Sequence, residues 1–243
     1  GKYDETLDIL SSFRTQYTCF TILLFLLISY KKKQTYQILA LILCFSINFI
    51  ESNWTFKPTK IVHSDLKILH SNVFTENLDH GKIITLIQEE NPDIIGLQEV
   101  NHTWIKHLSE NLRQYPYRHL HPQADNFGIA LYSKIPFESV RTEYFDISSQ
   151  PSIVSKIKIN GRLVELVYTH LLPPLGKRYF KERNSQLNSI AKYSANKKNL
   201  IVFGDFNMSP SSVHFKDFLW KSKLNHSSKN ILYTWPAGFT LLA

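Results

Sequence analysis

Asp205 and Asn207 stand two positions apart, directly after the short apolar run 200–203. Gly204 precedes them, and glycine lets a backbone turn sharply or approach a ligand closely. Alone, Gly204-Asp205-Phe206-Asn207 is an ordinary strand-to-turn sequence. Its meaning comes from four other polar positions in the same context. The run 66–69 ends in His70, Ser71 and Asn72; the run 93–97 ends in Gln98 and Glu99. The run 163–168 ends in Thr169 and His170, and Asn126-Phe127-Gly128 opens the run 129–132. α/β proteins bind ligands at the carboxyl ends of their strands. Asn72, Glu99, His170, Asp205 and Asn207 are therefore expected to converge on one rim of a sheet core. Magnesium takes oxygen ligands, commonly one or two carboxylates, and keeps several waters. Neutral amides and an imidazole can hold phosphate oxygens without competing for the metal. The set suits one hard divalent cation and one phosphate.

These residues resemble the endonuclease/exonuclease/phosphatase superfamily, the deoxyribonuclease I-like proteins, over about residues 66–235. The resemblance implies an α+β fold: a four-layer α/β/β/α sandwich of two mixed sheets with helices outside. It implies divalent-metal-dependent phosphoester hydrolysis, nuclease-like or phospholipid-directed, with Mg²⁺ as the cation and Mn²⁺ as its substitute. Glu99, Asn72 and Asp205 correspond to the metal positions. His170, Asp205 and Asn207 correspond to the catalytic ones, Asp205 and Asn207 placing the attacking water and phosphoryl oxygens. Asn72, Asn126, Asn207, His170 and Arg183 are expected to contact substrate, with Gln186 one turn beyond Arg183 in support. Pro92-Asp93, Gln98-Glu99, Asn126-Phe127-Gly128, Thr169-His170 with Pro173-Pro174, and Thr234-Trp235-Pro236 are similar to a membrane-anchored bacterial branch. The family's last strand ends in an Asp-His pair, and nothing after Trp235 supplies one. Asp79-His80 precedes a helical stripe and reads as surface. The expectation is a chain cut before that pair and impaired, with an active intact parent. The alternative is a membrane-tethered binding domain of the same fold without catalysis.

Positioning those side chains takes most of the 243 residues. Residues 58–243 read as the catalytic domain and 1–57 as an N-terminal appendage. Within the appendage, 16–30 and 34–50 are uncharged and rich in Leu, Ile and Phe, with Lys31, Lys32 and Lys33 between them. Each run is at the short edge of a bilayer-spanning helix. Together they predict a transmembrane hairpin whose basic turn faces the cytoplasm. The expected location is a bacterial inner membrane with the catalytic domain extracytoplasmic. Trp54 and Phe56 suit either the membrane interface or packing against the domain. Cys19 and Cys44 lie in the apolar runs and read as buried thiols; no zinc spacing is present.

Between the chemical positions, elements alternate. Helical stripes are expected over 82–88, at Trp104, Leu108 and Leu112, and over 181–195. Strands are expected over 128–132, 138–145, 152–159 and 162–169. Asn160-Gly161 is a two-residue hairpin signal, since such turns need positive φ at both positions. Hairpins mixed with strand–helix units suit two packed mixed sheets rather than one parallel sheet. The chain carries +8, and from Pro58 onward 22 basic residues face 16 acidic ones, a balance of +6. An anionic partner fits that charge, and Lys177, Arg178, Lys181 and Arg183 follow the Pro173-Pro174 turn. The expected partners are a phosphoester substrate and a lipid bilayer; no feature points to a protein partner. Eight histidines besides His80 and His170, His70 among them, have no motif context and read as structural or exposed.

Overall fold

A computed structural model describes residues 4–29, 38–39, 41–44, 46, 64–146 and 149–227. The described residues fall into two compact units, one within 61–207 and one formed by the N-terminal stretch with residues from 208 onward.

The larger unit holds two four-stranded mixed sheets. The first has the order β1 (Ile68–Asn72), β2 (Ile94–Gln98), β4 (Ile129–Ser133), β3 (Tyr117–His121). The second runs β5 (Phe137–Glu143), β6 (Ser152–Ile159), β7 (Arg162–His170), β8 (Leu200–Asp205). β1 and β2 are parallel, as are β7 and β8; the remaining pairs are antiparallel. Asn160 and Gly161 turn β6 into β7 with φ of 49° and 78°, as their sequence requires.

Strand alternation explains the layers. Ile94, Ile129 and Leu131 of the first sheet pack in one cluster with Ile153, Ile157, Leu166 and Tyr168 of the second. Ile95, Leu97, Ala130 and Tyr132 point to the opposite face. There they meet Ile83 and Ile87 of α3 (His80–Glu90) and Trp104 and Leu108 of α4 (His102–Asn111). β2 is buried along its whole length because both its faces are covered. On the far side, α5 (Lys177–Ser194) buries Phe180, Leu187, Ile190 and Ala191. Its Tyr193 donates to Glu165 of β7 and stacks edge-on to Phe145. The order of layers is helices, sheet, sheet, helix.

In the smaller unit, α1 (Glu5–Leu10) is capped by Asp4, whose carboxylate accepts from the Leu7 amide. α2 (Arg14–Ser29) follows a single 3-10 turn, and α6 (Val213–Ser222) is capped by Ser212. The Ser212 hydroxyl also donates to buried Asp8 at 2.6 Å. Here the expected transmembrane hairpin is unsupported. Among the described residues, no helix is long and apolar enough to cross a membrane. α2 has 16 residues, about 24 Å at 1.5 Å per residue against a hydrocarbon core of about 30 Å. Most of 34–50, the basic turn Lys31–Lys33, Trp54, Phe56 and Thr234-Trp235-Pro236 lie outside the described residues. Cys19 and Cys44 are exposed rather than buried. Cys19 sits on an outward face of α2 beside exposed Phe20, while Thr18 and Thr21 point inward.

Candidate active site

Parallel pairing puts the chemical residues at one rim. Asn72 is in register with Gln98, and His170 with Asp205. Gln98 is also opposite Ile129, so the turn 122–128 that feeds β4 lies at the same rim. Two glycines make the geometry fit. A Cβ on Gly128 would lie 1.9 Å from the Val100 carbonyl oxygen, and one on Gly204 would lie 1.9 Å from that of Thr169. Gly204 also holds φ at +133°, a region natural to glycine.

Glu99 turns out of β2 with φ at +61°, an uncommon conformation for a residue with a side chain. Its Oε1 accepts from Asn72 Nδ2 at 2.6 Å. Asn72 Oδ1 accepts from the Phe74 amide at 3.0 Å, which fixes the orientation of the Asn72 side chain. Glu99 Oε2 is buried and has no hydrogen-bond partner. Burial pushes the Glu99 carboxyl above its ordinary range, and the charge of Asp205 adds to the rise. A desolvated carboxylate oxygen facing a second carboxylate is what a divalent cation relieves. Glu99 supplies such an oxygen, whereas Asn72 turns its NH2 toward Glu99 and its Oδ1 toward the Phe74 amide, so as placed it orients the carboxylate rather than offering an oxygen to the ion. Among the described residues, no group of three or more His, Cys, Asp or Glu is arranged to hold a metal ion.

At the end of β8 in the second sheet, Asp205 Oδ1 accepts from the Asn207 amide at 2.8 Å. Asn207 adopts φ +48° and donates from Nδ2 to the Leu171 carbonyl at 2.7 Å. His170 is 2% exposed and its Nδ1 has no partner. Burial holds its pKa below the ordinary value, Asp205 opposes that shift, and His70 reinforces it. The His170 ring lies 5.4 Å from that of Phe127. Its neighbour Asn126 is exposed on the same turn. Arg183 is fully buried beneath the rim; Nη1 donates to the Asn207 carbonyl at 2.9 Å, and Nε and Nη2 donate to Asn184. It braces the Asn207 turn from below. Gln186, also buried, donates to the Gln150 carbonyl.

One contributor was visible only as a motif position. Gln98 is fully buried. Its Nε2 donates to the Thr169 carbonyl at 2.7 Å, and its Oε1 accepts from the Asp205 amide at 3.2 Å. His70 Nε2 lies 2.8 Å from the same oxygen. A glutamine inside an otherwise apolar run was the available signal, because a buried amide needs partners.

The rim of this α/β/β/α sandwich thus carries carboxylate, amide and imidazole groups. The sequence profile of the Endonuclease/Exonuclease/phosphatase family matches residues 69–240, and the chain belongs to that family. No curated protein sequence matches it. Among solved structures it is similar in fold to a β-hairpin deletion mutant of beta toxin from Staphylococcus aureus. That match has a TM-score of 0.54 and 22% identity over 74% of this chain and 81% of the toxin. Sphingomyelinase C from Streptomyces griseocarneus matches at TM-score 0.54 and 18% identity, over 67% of this chain and 71% of that one. D. rerio TDP2, complexed with a single strand DNA product, matches at TM-score 0.53 and 17% identity over 63% of this chain. The chain spans 64% of the length of that TDP2 structure.

Proposed function

We propose that the protein is a Mg²⁺-dependent phosphodiesterase working at the rim between Glu99 and Asp205. The observation that carries this reading is the buried, unpartnered Oε2 of Glu99, raised in pKa by burial and by Asp205. Glu99 would hold the ion, with the Asn72 side chain orienting the carboxylate. When bound there, the cation supplies Lewis-acid polarisation of a phosphoryl oxygen. Asp205, its Oδ1 fixed by the Asn207 amide, orients and deprotonates water for in-line attack. His170 is neutral at pH 7 because burial depresses its pKa. A neutral imidazole keeps one N–H for a non-bridging oxygen and adds no charge to repel the cation. Asn207 has a second Nδ2 hydrogen for the same purpose, and exposed Asn126 lies where a substrate phosphate enters.

The chain is basic, +8 overall, which fits an anionic substrate. The neighbours in fold include a sphingomyelinase and a protein holding a DNA product, so nucleic acid and phospholipid headgroups are the two arms of the test. The full-length protein is assayed with Mg²⁺ on DNA, RNA, sphingomyelin and bis-p-nitrophenyl phosphate. Hydrolysis of at least one, lost with EDTA, is expected. Failure on all four while substrate still binds would leave a non-catalytic binding domain.

Membrane attachment is part of the proposal. Its support is the inside-out pattern of α2: Thr18 and Thr21 are buried, while Phe20, Leu23 and Leu27 are 53–62% exposed. Helices in water show the opposite arrangement. The proposed location is a bacterial inner membrane with the catalytic domain extracytoplasmic, read by the positive-inside rule from Lys31, Lys32 and Lys33 between two uncharged runs of the sequence. Flotation with anionic vesicles tests attachment, and replacement of Phe20, Leu23 and Leu27 by serine is expected to abolish it. Reporter fusions after Pro58 test the side; activity of cytoplasmic reporters alone would contradict it.

A further inference from the structure

Gln98 is a polar side chain that bridges the two sheets at the rim. It leaves β2 fully buried and bonds to backbone groups of β7 and β8. These bonds settle its orientation. The Thr169 carbonyl can only accept and the Asp205 amide can only donate, so Nε2 faces the first and Oε1 the second. Oε1 cannot donate, so His70, whose Nε2 is 2.8 Å away, must carry its proton on that nitrogen. The Gly204 backbone packs against the Gln98 amide nitrogen. His70 sits in the middle of β1, opposite Gly96, edge-on to the Tyr168 ring at 5.9 Å, and is exposed on its other side.

We propose that Gln98, supported by His70, is a positioning residue that sets Asp205 relative to Glu99. The amide fixes the separation of the β1–β2 rim from the β7–β8 rim, and His70 holds the amide against rotation. This rests on the functional reading above. Neither side chain touches substrate. Each acts through the Asp205 backbone, so the effect falls on the alignment of the attacking water rather than on substrate capture.

The test uses the full-length protein with Mg²⁺ and bis-p-nitrophenyl phosphate. Gln98→Leu is expected to lower kcat on the order of 10²-fold with KM unchanged, the cost of a small misplacement of a reacting group. Because a buried variant can fail to fold, His70 supplies the second arm. His70→Phe keeps the ring against Tyr168 and removes the donor; it is expected to lower kcat roughly tenfold. His70→Gln places an amide nitrogen where the imidazole Nε2 was and is expected to restore the rate. In the double variant, Gln98→Leu with His70→Phe, the loss is expected to equal that of Gln98→Leu alone. Two readouts are independent of turnover: the ¹⁵N spectrum of His70 shows a protonated Nε2, and the Asp205 amide resonance moves in His70→Phe and returns in His70→Gln. An unprotonated His70 Nε2, or an Asp205 amide and kcat unmoved in His70→Phe, overturns the inference. Absence of hydrolysis in the unaltered protein would instead sink the functional reading, and the spectra would still decide the role of Gln98.

Discussion

Replacing Glu99 with glutamine should make the cation-free protein more stable while removing its response to Mg²⁺. In the native protein, Oε1 is satisfied by Asn72 and Oε2 is buried without a partner. Glutamine retains an Oε1 acceptor and deletes the charge. A buried unsatisfied group costs about 1–3 kcal/mol, more when charged. Glu99 is only partly buried, and solvent screening reduces that figure. A gain of about 1 kcal/mol is expected, or about 2–4 °C in a domain of this size. Mg²⁺ at one hundred times its Kd should add about 2.7 kcal/mol to the native protein, a rise of about 5–11 °C. Glu99→Gln should show none of that rise. The pH dependence has a definite sign. The folded pKa of Glu99 is raised, so its contribution is fully present below the ordinary value of 4.5 and is lost as pH rises through the folded value. The gap between the two proteins should therefore close in acid. Calorimetric scans with EDTA and with a Mg²⁺ series make the measurement. A variant less stable than the native protein in EDTA, or one keeping the Mg²⁺ shift, would refute the reasoning.

Asp205→Asn keeps the shape of the turn and removes the base; kcat should fall about a thousandfold with an unchanged melting temperature, measured on bis-p-nitrophenyl phosphate. His170 should make stability pH-dependent in the opposite sense to Glu99. Its folded pKa is depressed by burial, so its contribution is present above the ordinary value of 6.5 and is lost as pH falls through the depressed value. Urea midpoints between pH 8 and 5 should drop, less so in His170→Asn. Gly204→Ala and Gly128→Ala should each cost about 2–6 kcal/mol or give no folded protein, since a carbonyl lies 1.9 Å from either new Cβ. Gly161→Ala is the control: it shares a positive φ of 78° but has nothing within 4 Å. It should cost only about 1–2 kcal/mol by urea titration.

Much of this architecture was legible because the sequence marks it twice. The run before Gln98 is apolar throughout because β2 is covered on both faces, and Asn160-Gly161 announces its turn by backbone chemistry. β3 was missed because Tyr117-Arg118-His119-Leu120-His121 is a half-exposed edge strand whose polar residues hide its period. α6 was missed for want of a long stripe, although Ser212 provides its cap. Asn72, Glu99, His170, Asp205 and Asn207 were named from their positions at strand ends, and Asn72, His170 and Asp205 close β1, β7 and β8 while Glu99 follows β2. Arg183 shows the limit of such reasoning. Charge and spacing suggested a substrate contact, yet the side chain is buried under Asn207. The role of Gln98 depends on which strands of two different sheets face one another, which no local pattern records. In the N-terminal runs, the helix expected over 16–30 coincides with α2 (Arg14–Ser29), while the spanning of a bilayer is the part that finds no support among the described residues.

The most direct test of the central claim is anomalous diffraction from crystals soaked in Mn²⁺, with a chelated crystal as reference. The account predicts one strong peak within bonding distance of Glu99 Oε2, about 2.2 Å, on the side facing Asp205. A peak elsewhere, or none beside Glu99 at concentrations that support hydrolysis, would contradict it.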